Sequence, residues 1–302
     1  MIAQRHYGVG LLGCGSVGRV HAYCHSVLPY YYPELPFRTR LVRVCTSRSE
    51  TARRAREALG FEFFTTDPAE VIGSDLVDVV HICTPNALHK DQLLAVLKAG
   101  KHVYCEKPLT CDWAEAREVL RALEGYGGVH QVTFQNRFYP AVVRAKQLAL
   151  EGFLGEVTCF RAAFLHSSNL DPDRPAGWKF QPGGGVLNDI ASHVVDLMQH
   201  LIGPFDEVFC ASRILVPERP APGDPSRRVH VDVEDHACLL LRCESGLVGT
   251  IEATKIATGA QDELRFEIHG TRGAIAFNLM EPNWLHVYDA TAPCGRQGFT
   301  RL

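Results

Sequence analysis

Gly13-x-Gly15-x-x-Gly18 stands directly behind an apolar run at residues 7–12 and directly ahead of a helix-like stretch that starts near Val17. Few chain geometries need three glycines at that spacing between a strand and a helix. Gly13 permits the tight turn, Gly15 lets the backbone approach a pyrophosphate, and Gly18 lets the helix pack closely on the strand. The N-terminus of such a helix offers unsatisfied N–H groups and a partial positive charge to phosphate oxygens. The motif opens the first strand–helix unit of the chain. It therefore predicts a phosphate cradle made of Gly13, Gly15, Ser16, Val17 and Gly18.

The rhythm that follows supports this. Strand-like runs at 40–45, 61–64, 77–83, 102–105 and 129–134 alternate with helical patterns at 50–59, 88–99 and 112–123. The first two of these helices are closed by Gly60 and Gly100. Alternation of this kind predicts an α/β unit, a doubly wound parallel sheet of the Rossmann type, over residues 1–137. The pattern changes after Arg137. A helix at 140–151, a strand at 156–166, a polar loop and a helix at 186–202 lead into strand-like runs at 207–216, 229–243, 247–256, 264–268 and 274–277. These predict an α+β domain over 138–302 with a large, mostly antiparallel sheet. Residues 217–225 read as an exposed Pro-rich loop.

Composition excludes several function classes. A formal net charge of -3, with 46% hydrophobic and 22% charged residues, fits a globular protein without a general electrostatic pull toward nucleic acid or membrane. No apolar run is long enough to cross a bilayer. The N-terminal residues Met1 to His6 lack the pattern of a secretion signal, so the expected location is the cytoplasm. The 11 cysteines include no CxxC pair. Cys45, Cys83, Cys159, Cys210 and Cys238 lie in apolar runs and read as small buried hydrophobes rather than disulfides or zinc ligands.

Two local patterns bear on chemistry. The second strand ends in Thr46-Ser47-Arg48, without the acid that would bind a ribose 2′-hydroxyl. Hydroxyls and an arginine suit a 2′-phosphate, which favours NADP over NAD. In the helix at 186–202, Asp189 and His193 are four residues apart and share a face, while Ile190, Val194, Leu197 and Leu201 line an adjacent, core-facing one. A histidine so placed suits proton transfer at a hydroxyl. Asp196 and His200 continue the polar stripe. Pairing with neighbouring segments is the favoured reading there, ahead of a metal site, and no metal is expected. His21 and His25 share a helical spacing with nothing to complete a ligand set. Asn136, Arg137, His166, Trp178 and Lys179 are candidate pocket residues, with Arg137 equally readable as an ion pair joining the domains and Trp178 as core.

With these residues in view, the chain resembles the glucose–fructose oxidoreductase / inositol dehydrogenase / MocA family. The matching segments are Gly10 to His21 around the glycine motif, Cys83-Thr84-Pro85-Asn86-Ala87-Leu88-His89, Glu106-Lys107-Pro108-Leu109, and Gly183-Gly184-Gly185-Val186-Leu187-Asn188-Asp189 with His193. The resemblance implies oxidation of an alcohol carbon, or reduction of the ketone, on a sugar, inositol or related polyol with NAD or NADP. It implies that Lys107 polarises the reacting oxygen, that His193 is the general acid/base, and that Asp189 orients the substrate or the histidine. It places Thr84, Pro85, Asn86, His89, Glu106 and Lys107 on the cofactor side and Asn188 on the substrate side, with the reaction in the cleft between the domains. Relatives also include non-catalytic nicotinamide-binding regulators and NAD-dependent glycosidases, and these stand as the alternatives. The resemblance further implies a homo-oligomer, a dimer or tetramer, formed through the exposed face of the second sheet. Members usually continue past the point corresponding to Leu302, which implies a second domain lacking part of its late structure.

Overall fold

The computed structural model describes residues 5–302; residues 1–4 of the N-terminal stretch read for a secretion signal lie outside them. Two compact units divide at Thr133/Phe134, four residues before the boundary expected from sequence. Residues 134–137 already belong to the second unit because the short 3₁₀ turn Gln135–Phe138 leads straight into its first helix.

The first unit runs β1 (Arg5–Leu12), α1 (Ser16–Tyr31), β2 (Phe37–Cys45), α2 (Ser49–Leu59), β3 (Phe63–Thr65), α3 (Pro68–Ile72), β4 (Val79–Ile82), α4 (His89–Lys98), β5 (His102–Cys105), α5 (Trp113–Ala122) and β6 (His130–Val132). Its strands form one parallel sheet in the order β3-β2-β1-β4-β5-β6. Both faces are covered, which is why the strands read as near-continuous apolar runs. Leu12, Val42, Val80 and Ile82 pack with Leu93, Val96 and Leu97 of α4 on one side. Leu11 and Val44 pack with Ala22 of α1 and Ala55 of α2 on the other. Strand order reverses between β1 and β4, so the loops after these two strands part and leave a crevice at their carboxyl ends. The short helix α3 was not expected. It is set by Asp67, whose carboxylate accepts the Ala69 N–H at 2.9 Å, and by Pro68 at its first position.

The second unit runs α6 (Pro140–Leu150), β7 (Val157–Leu165), α7 (Ser192–Ile202), β8 (Phe205–Arg213), β9 (Glu218–Ala221), β10 (Asp224–His230), β11 (His236–Cys243), β12 (Val248–Thr254), β13 (Glu263–Gly270), β14 (Gly273–Asn278), β15 (Leu285–Asp289) and β16 (Phe299–Arg301). Its main sheet has the order β16-β15-β14-β13-β7-β12-β11-β8, and of these neighbours β7 and β12 alone are parallel. Phe160, Phe164, Ile251, Leu264, Phe266 and Phe277 form its inner face, against Val142 and Ala145 of α6 and Val194, Leu197, Met198 and Leu201 of α7. Each large apolar side chain buried there contributes about 1.5–3 kcal/mol. That face fixes the orientation of α7, and α7 carries the candidate acid/base.

Three expectations are corrected here. Residues 217–225 are not an exposed loop. They form β9 and the turn into β10, with Arg219 and Ala221 fully buried. The run 229–243 is not one strand. It breaks after His230, because the Asp235 carboxylate turns back to accept the Leu215 N–H at 2.9 Å. Cys210 and Cys238 are exposed, on the edge strand β8 and on β11. The outer face of this sheet holds a shallow concavity of about 1080 Å³, with Phe209 opposite Leu240 and both exposed. Among the described residues no helix is long and apolar enough to cross a membrane.

Candidate active site and cofactor cradle

The three glycines of the motif behave differently, and the difference identifies the cradle. Gly13 has φ +84°, and a β-carbon there would lie 2.5 Å from the Cys83 carbonyl oxygen. A β-carbon on Gly18 would lie 2.3 Å from the Gly13 carbonyl oxygen. Both glycines are therefore demanded by the fold. A β-carbon on Gly15 meets nothing within 4 Å, and its φ of -73° suits any residue. The protein does not need glycine there, whereas a pyrophosphate approaching the backbone does. α1 begins at this point with no side-chain cap and no acid in its first turn, so its N–H groups face outward uncontested. The residues present fit a dinucleotide. Gly15→Val is accordingly expected to leave the thermal midpoint of the protein within a degree or two and to weaken nicotinamide cofactor binding by at least tenfold, measured by fluorescence titration.

At the end of β2, Thr46 Oγ1 lies 2.6 Å from Thr51 Oγ1 and 3.0 Å from the Arg48 carbonyl oxygen, which closes a tight turn at the start of α2. Ser47 and Arg48 are exposed. Beyond β4, Thr84 donates to Gln92 Oε1 at 2.7 Å, and Asn86 is buried in the 3₁₀ turn Asn86–Leu88. His89 is turned inward, into the loops. Its ring is fully buried between the Thr84 and Pro108 carbonyl oxygens, each at 2.9 Å, and ties the loop after β4 to the loop after β5. Lys107 sits half-buried on that second loop, ahead of a cis bond to Pro108. Its backbone N–H donates to Glu106 Oε2 at 3.2 Å.

His21 and His25 turn out to have a third member. His81, from the middle of β4, lies between them, with ring nitrogens 2.8 Å from His21 and 3.0 Å from His25. Burial, and then the neighbouring imidazoles, push His25 down to about 4 and His81 well below its ordinary range. The unfolded chain therefore binds protons near 6.5 that the folded chain refuses until about 4. Stability is expected to be complete above this window and to fall as pH drops through it. Urea unfolding at pH 7 and at pH 5 checks the sign: the pH 5 midpoint is the lower, and the gap narrows in His81→Phe.

In the second unit, a single π-helical turn, Leu187–Ala191, precedes α7 and holds Asp189. Such turns concentrate at functional sites. The turn is shaped by Glu234, whose carboxylate accepts the Leu187 N–H at 2.8 Å and packs where a β-carbon on Gly185 would stand. The Asp189 carboxylate accepts Lys179 Nζ at 3.1 and 2.9 Å and is also bonded by the buried ammonium of Lys255. His193 is buried, with Phe134 edge-on at 6.0 Å and Phe164 at 6.2 Å. Trp178 is 45% exposed, and Lys179 Nζ lies 5.5 Å from its ring centroid. His166 is lowered by burial, with Lys255, Arg174 and Lys179 adding in the same direction against Asp262. Asn136 is buried in the 3₁₀ turn before α6, and the Asn188 carbonyl accepts Ser192 Oγ at 2.7 Å.

Arg137 is committed elsewhere. Its guanidinium grips Asp196 with both arms, Nε to Oδ2 at 2.7 Å, and both residues lie within the second unit. The favoured reading of Asp196 as a partner for a neighbouring segment is what the structure contains. Sequence reasoning missed Lys255 and His81. The available signals were a lysine directly after a strand and a histidine inside a buried-type one.

Residues 7–134 match the oxidoreductase family with an NAD-binding Rossmann fold, and residues 142–276 match the GFO/IDH/MocA C-terminal domain. The levoglucosan dehydrogenase of Pseudarthrobacter phenanthrenivorans is 35% identical over 98% of this chain and 80% of its own length. The chain belongs to the GFO/IDH/MocA oxidoreductase family. The structure of that levoglucosan dehydrogenase in complex with NADH and levoglucosan superposes with a TM-score of 0.95, covering 99% of this chain and 80% of the other. Two further relatives in the family are an inositol 2-dehydrogenase of Rhizobium meliloti and an NADP(+) scyllo-inositol 2-dehydrogenase of Bacillus subtilis. The first is 29% identical over 90% of this chain and 76% of its own length. The second is 30% identical over 65% and 51%. Family membership makes the chain an oxidoreductase of the sugar and polyol dehydrogenase kind, with an NAD-binding Rossmann fold.

Proposed function

We propose that this chain interconverts a secondary alcohol and a ketone on a sugar, inositol or related polyol, with Lys107 and His193 in proton transfer. The observation that carries the reading is the Asp189 carboxylate, held by Lys179 and Lys255 one turn ahead of His193. A polyol offers hydroxyls that both donate and accept, and this group of ammonium donors and one carboxylate acceptor suits them. The exposed Trp178 ring offers a flat apolar surface for a sugar ring. His193, walled by Phe134 and Phe164, exchanges the proton of the reacting hydroxyl, and Lys107 stabilises the oxygen as its proton leaves. The nicotinamide, when bound, supplies the hydride acceptor.

NADP is the proposed cofactor, on the strength of Arg48 and the missing acid after β2, with NAD as the competitor. Formation of reduced nicotinamide is the test, with each cofactor against a panel of anhydrosugars, glucosides and inositols. A kcat/KM ratio favouring NADP supports the cofactor assignment, and one favouring NAD reverses it. Absence of turnover across the panel, or release of a sugar without net redox, overturns the reading. The exposed pair Phe209 and Leu240 on the outer sheet face supports a second copy of the chain as its cover. Phe209→Glu is expected to lower the mass measured by light scattering to that of a smaller assembly.

A further inference from the structure

α1 places His21 and His25 one turn apart, and β4 sends Val80 and Ile82 into the α4-side core while His81 points the other way, between them. The contacts make an unbroken chain. Glu106 Oε1 lies 3.0 Å from His21 Nε2, His21 Nδ1 lies 2.8 Å from His81 Nδ1, His81 Nε2 lies 3.0 Å from His25 Nε2, and His25 Nδ1 lies 3.2 Å from Thr39 Oγ1. The Tyr104 ring packs against His21 and His81, at 5.3 and 5.2 Å. Apolar side chains would fill this space without the cost of burying polar rings. The inner end, Glu106, accepts the backbone N–H of Lys107. The outer end, His25, is only partly buried.

A neutral imidazole has one donor and one acceptor, and an ionised carboxylate only accepts. While Glu106 is ionised the direction of every bond is therefore fixed. Thr39 donates to His25 Nδ1, His25 Nε2–H to His81, His81 Nδ1–H to His21, and His21 Nε2–H to Glu106. Passage of one proton inward reverses every bond and leaves that proton on Glu106.

We propose that Glu106, His21, His81 and His25 form a proton wire that exchanges the proton of the reaction between the Lys107 end of the cofactor edge and solvent beside Thr39. The proposal rests on the redox reading given above. In the direction of ketone reduction, water protonates His25 Nδ1. The Nε2–H of His25 passes to His81, the Nδ1–H of His81 to His21, and the Nε2–H of His21 to Glu106. Glu106 then reprotonates the Lys107 amine, which has replaced on His193 the proton that this imidazole gave to the oxygen formed from the ketone, and each ring of the wire turns over so that its N–H again points toward Glu106. Alcohol oxidation runs the same steps backwards and releases one proton. None of the three imidazoles of the wire has changed its net charge once the passage is complete.

The first readout needs no turnover. ¹⁵N-histidine NMR of the wild-type chain is expected to give His21 and His25 as Nε2–H and His81 as Nδ1–H, all neutral at pH 7. A different tautomer set, or an imidazolium in the chain, overturns the wire. The second readout is kinetic. His81→Phe and, at the less buried end, His25→Ala are expected to lower kcat about tenfold to a hundredfold with KM for sugar and cofactor unchanged. The solvent isotope effect then rises, the substrate deuterium effect falls, and added imidazole restores His25→Ala several-fold. Unchanged kcat, or a loss with neither altered isotope effects nor imidazole rescue, overturns it. A wild-type chain that reduces neither nicotinamide defeats the redox reading, while the tautomer pattern still judges the wire.

Discussion

His193→Gln is expected to lower kcat by about a thousandfold at saturating substrate, while cofactor affinity stays at the wild-type value. Positioned general acid/base groups contribute roughly 10²–10⁴ to rate, and glutamine can hold a hydroxyl but cannot take its proton. The cofactor half of the expectation follows from the architecture: the glycine cradle is built wholly within residues 5–133, a unit that does not include α7. Stability should change little, since the ring is replaced by a side chain of similar length between Phe134 and Phe164. Lys107→Met is expected to give a comparable loss in kcat. Stopped-flow and steady-state kinetics with both variants check this, and turnover surviving both changes would refute the roles given to the two residues.

Arg219→Met is expected to cost about 3 kcal/mol of stability in urea unfolding. Arg219 and Asp235 are both fully buried, 4.0 Å apart. The guanidinium also donates to the Asn169 carbonyl oxygen at 2.7 Å and the Asp171 carbonyl oxygen at 2.8 Å, and lies 4.4 Å from the Phe180 ring centroid. Removing one member of a buried pair costs roughly 3–5 kcal/mol, because the remaining charge and its partners are left without compensation. The lower end is expected here, since Asp235 keeps the Asn169 amide at 2.7 Å and the Leu215 N–H. Arg219→Lys should not rescue, because one ammonium cannot serve two carbonyls and stack on a ring. The loop held by this cluster carries Trp178 and Lys179, so KM for the sugar should rise and Trp fluorescence should change in the folded variant.

The first unit was legible because its determinants are local. A strand, three glycines and a helix form one continuous segment, and the apolar runs of β4 and β5 announce themselves. The helix that carries His193 was legible for the same reason, although the backbone around Asp189 is a π-helical turn and not plain helix. What escaped were contacts between distant segments. Asp189 and Lys255 are 66 residues apart, and His21 and His81 are 60 apart. Nothing in either neighbourhood requires the other, and only the strand order brings them together. The buried β9 escaped because Pro220 beside Arg219 reads as surface until an internal partner for the arginine is known.

Glu234 and Asp235 are neighbours in sequence with separate duties: one carboxylate shapes the turn ahead of α7, and the other anchors the segment that carries Trp178. This division lets the backbone ahead of α7 and the segment that carries Trp178 be altered one at a time. Between its anchors the segment exposes Asp171 and Asp173, where Asp171 accepts the Asp173 N–H and Arg228 pairs with Asp173. Changes at that exposed tip leave the hydrogen bonds that shape the turn ahead of α7 untouched.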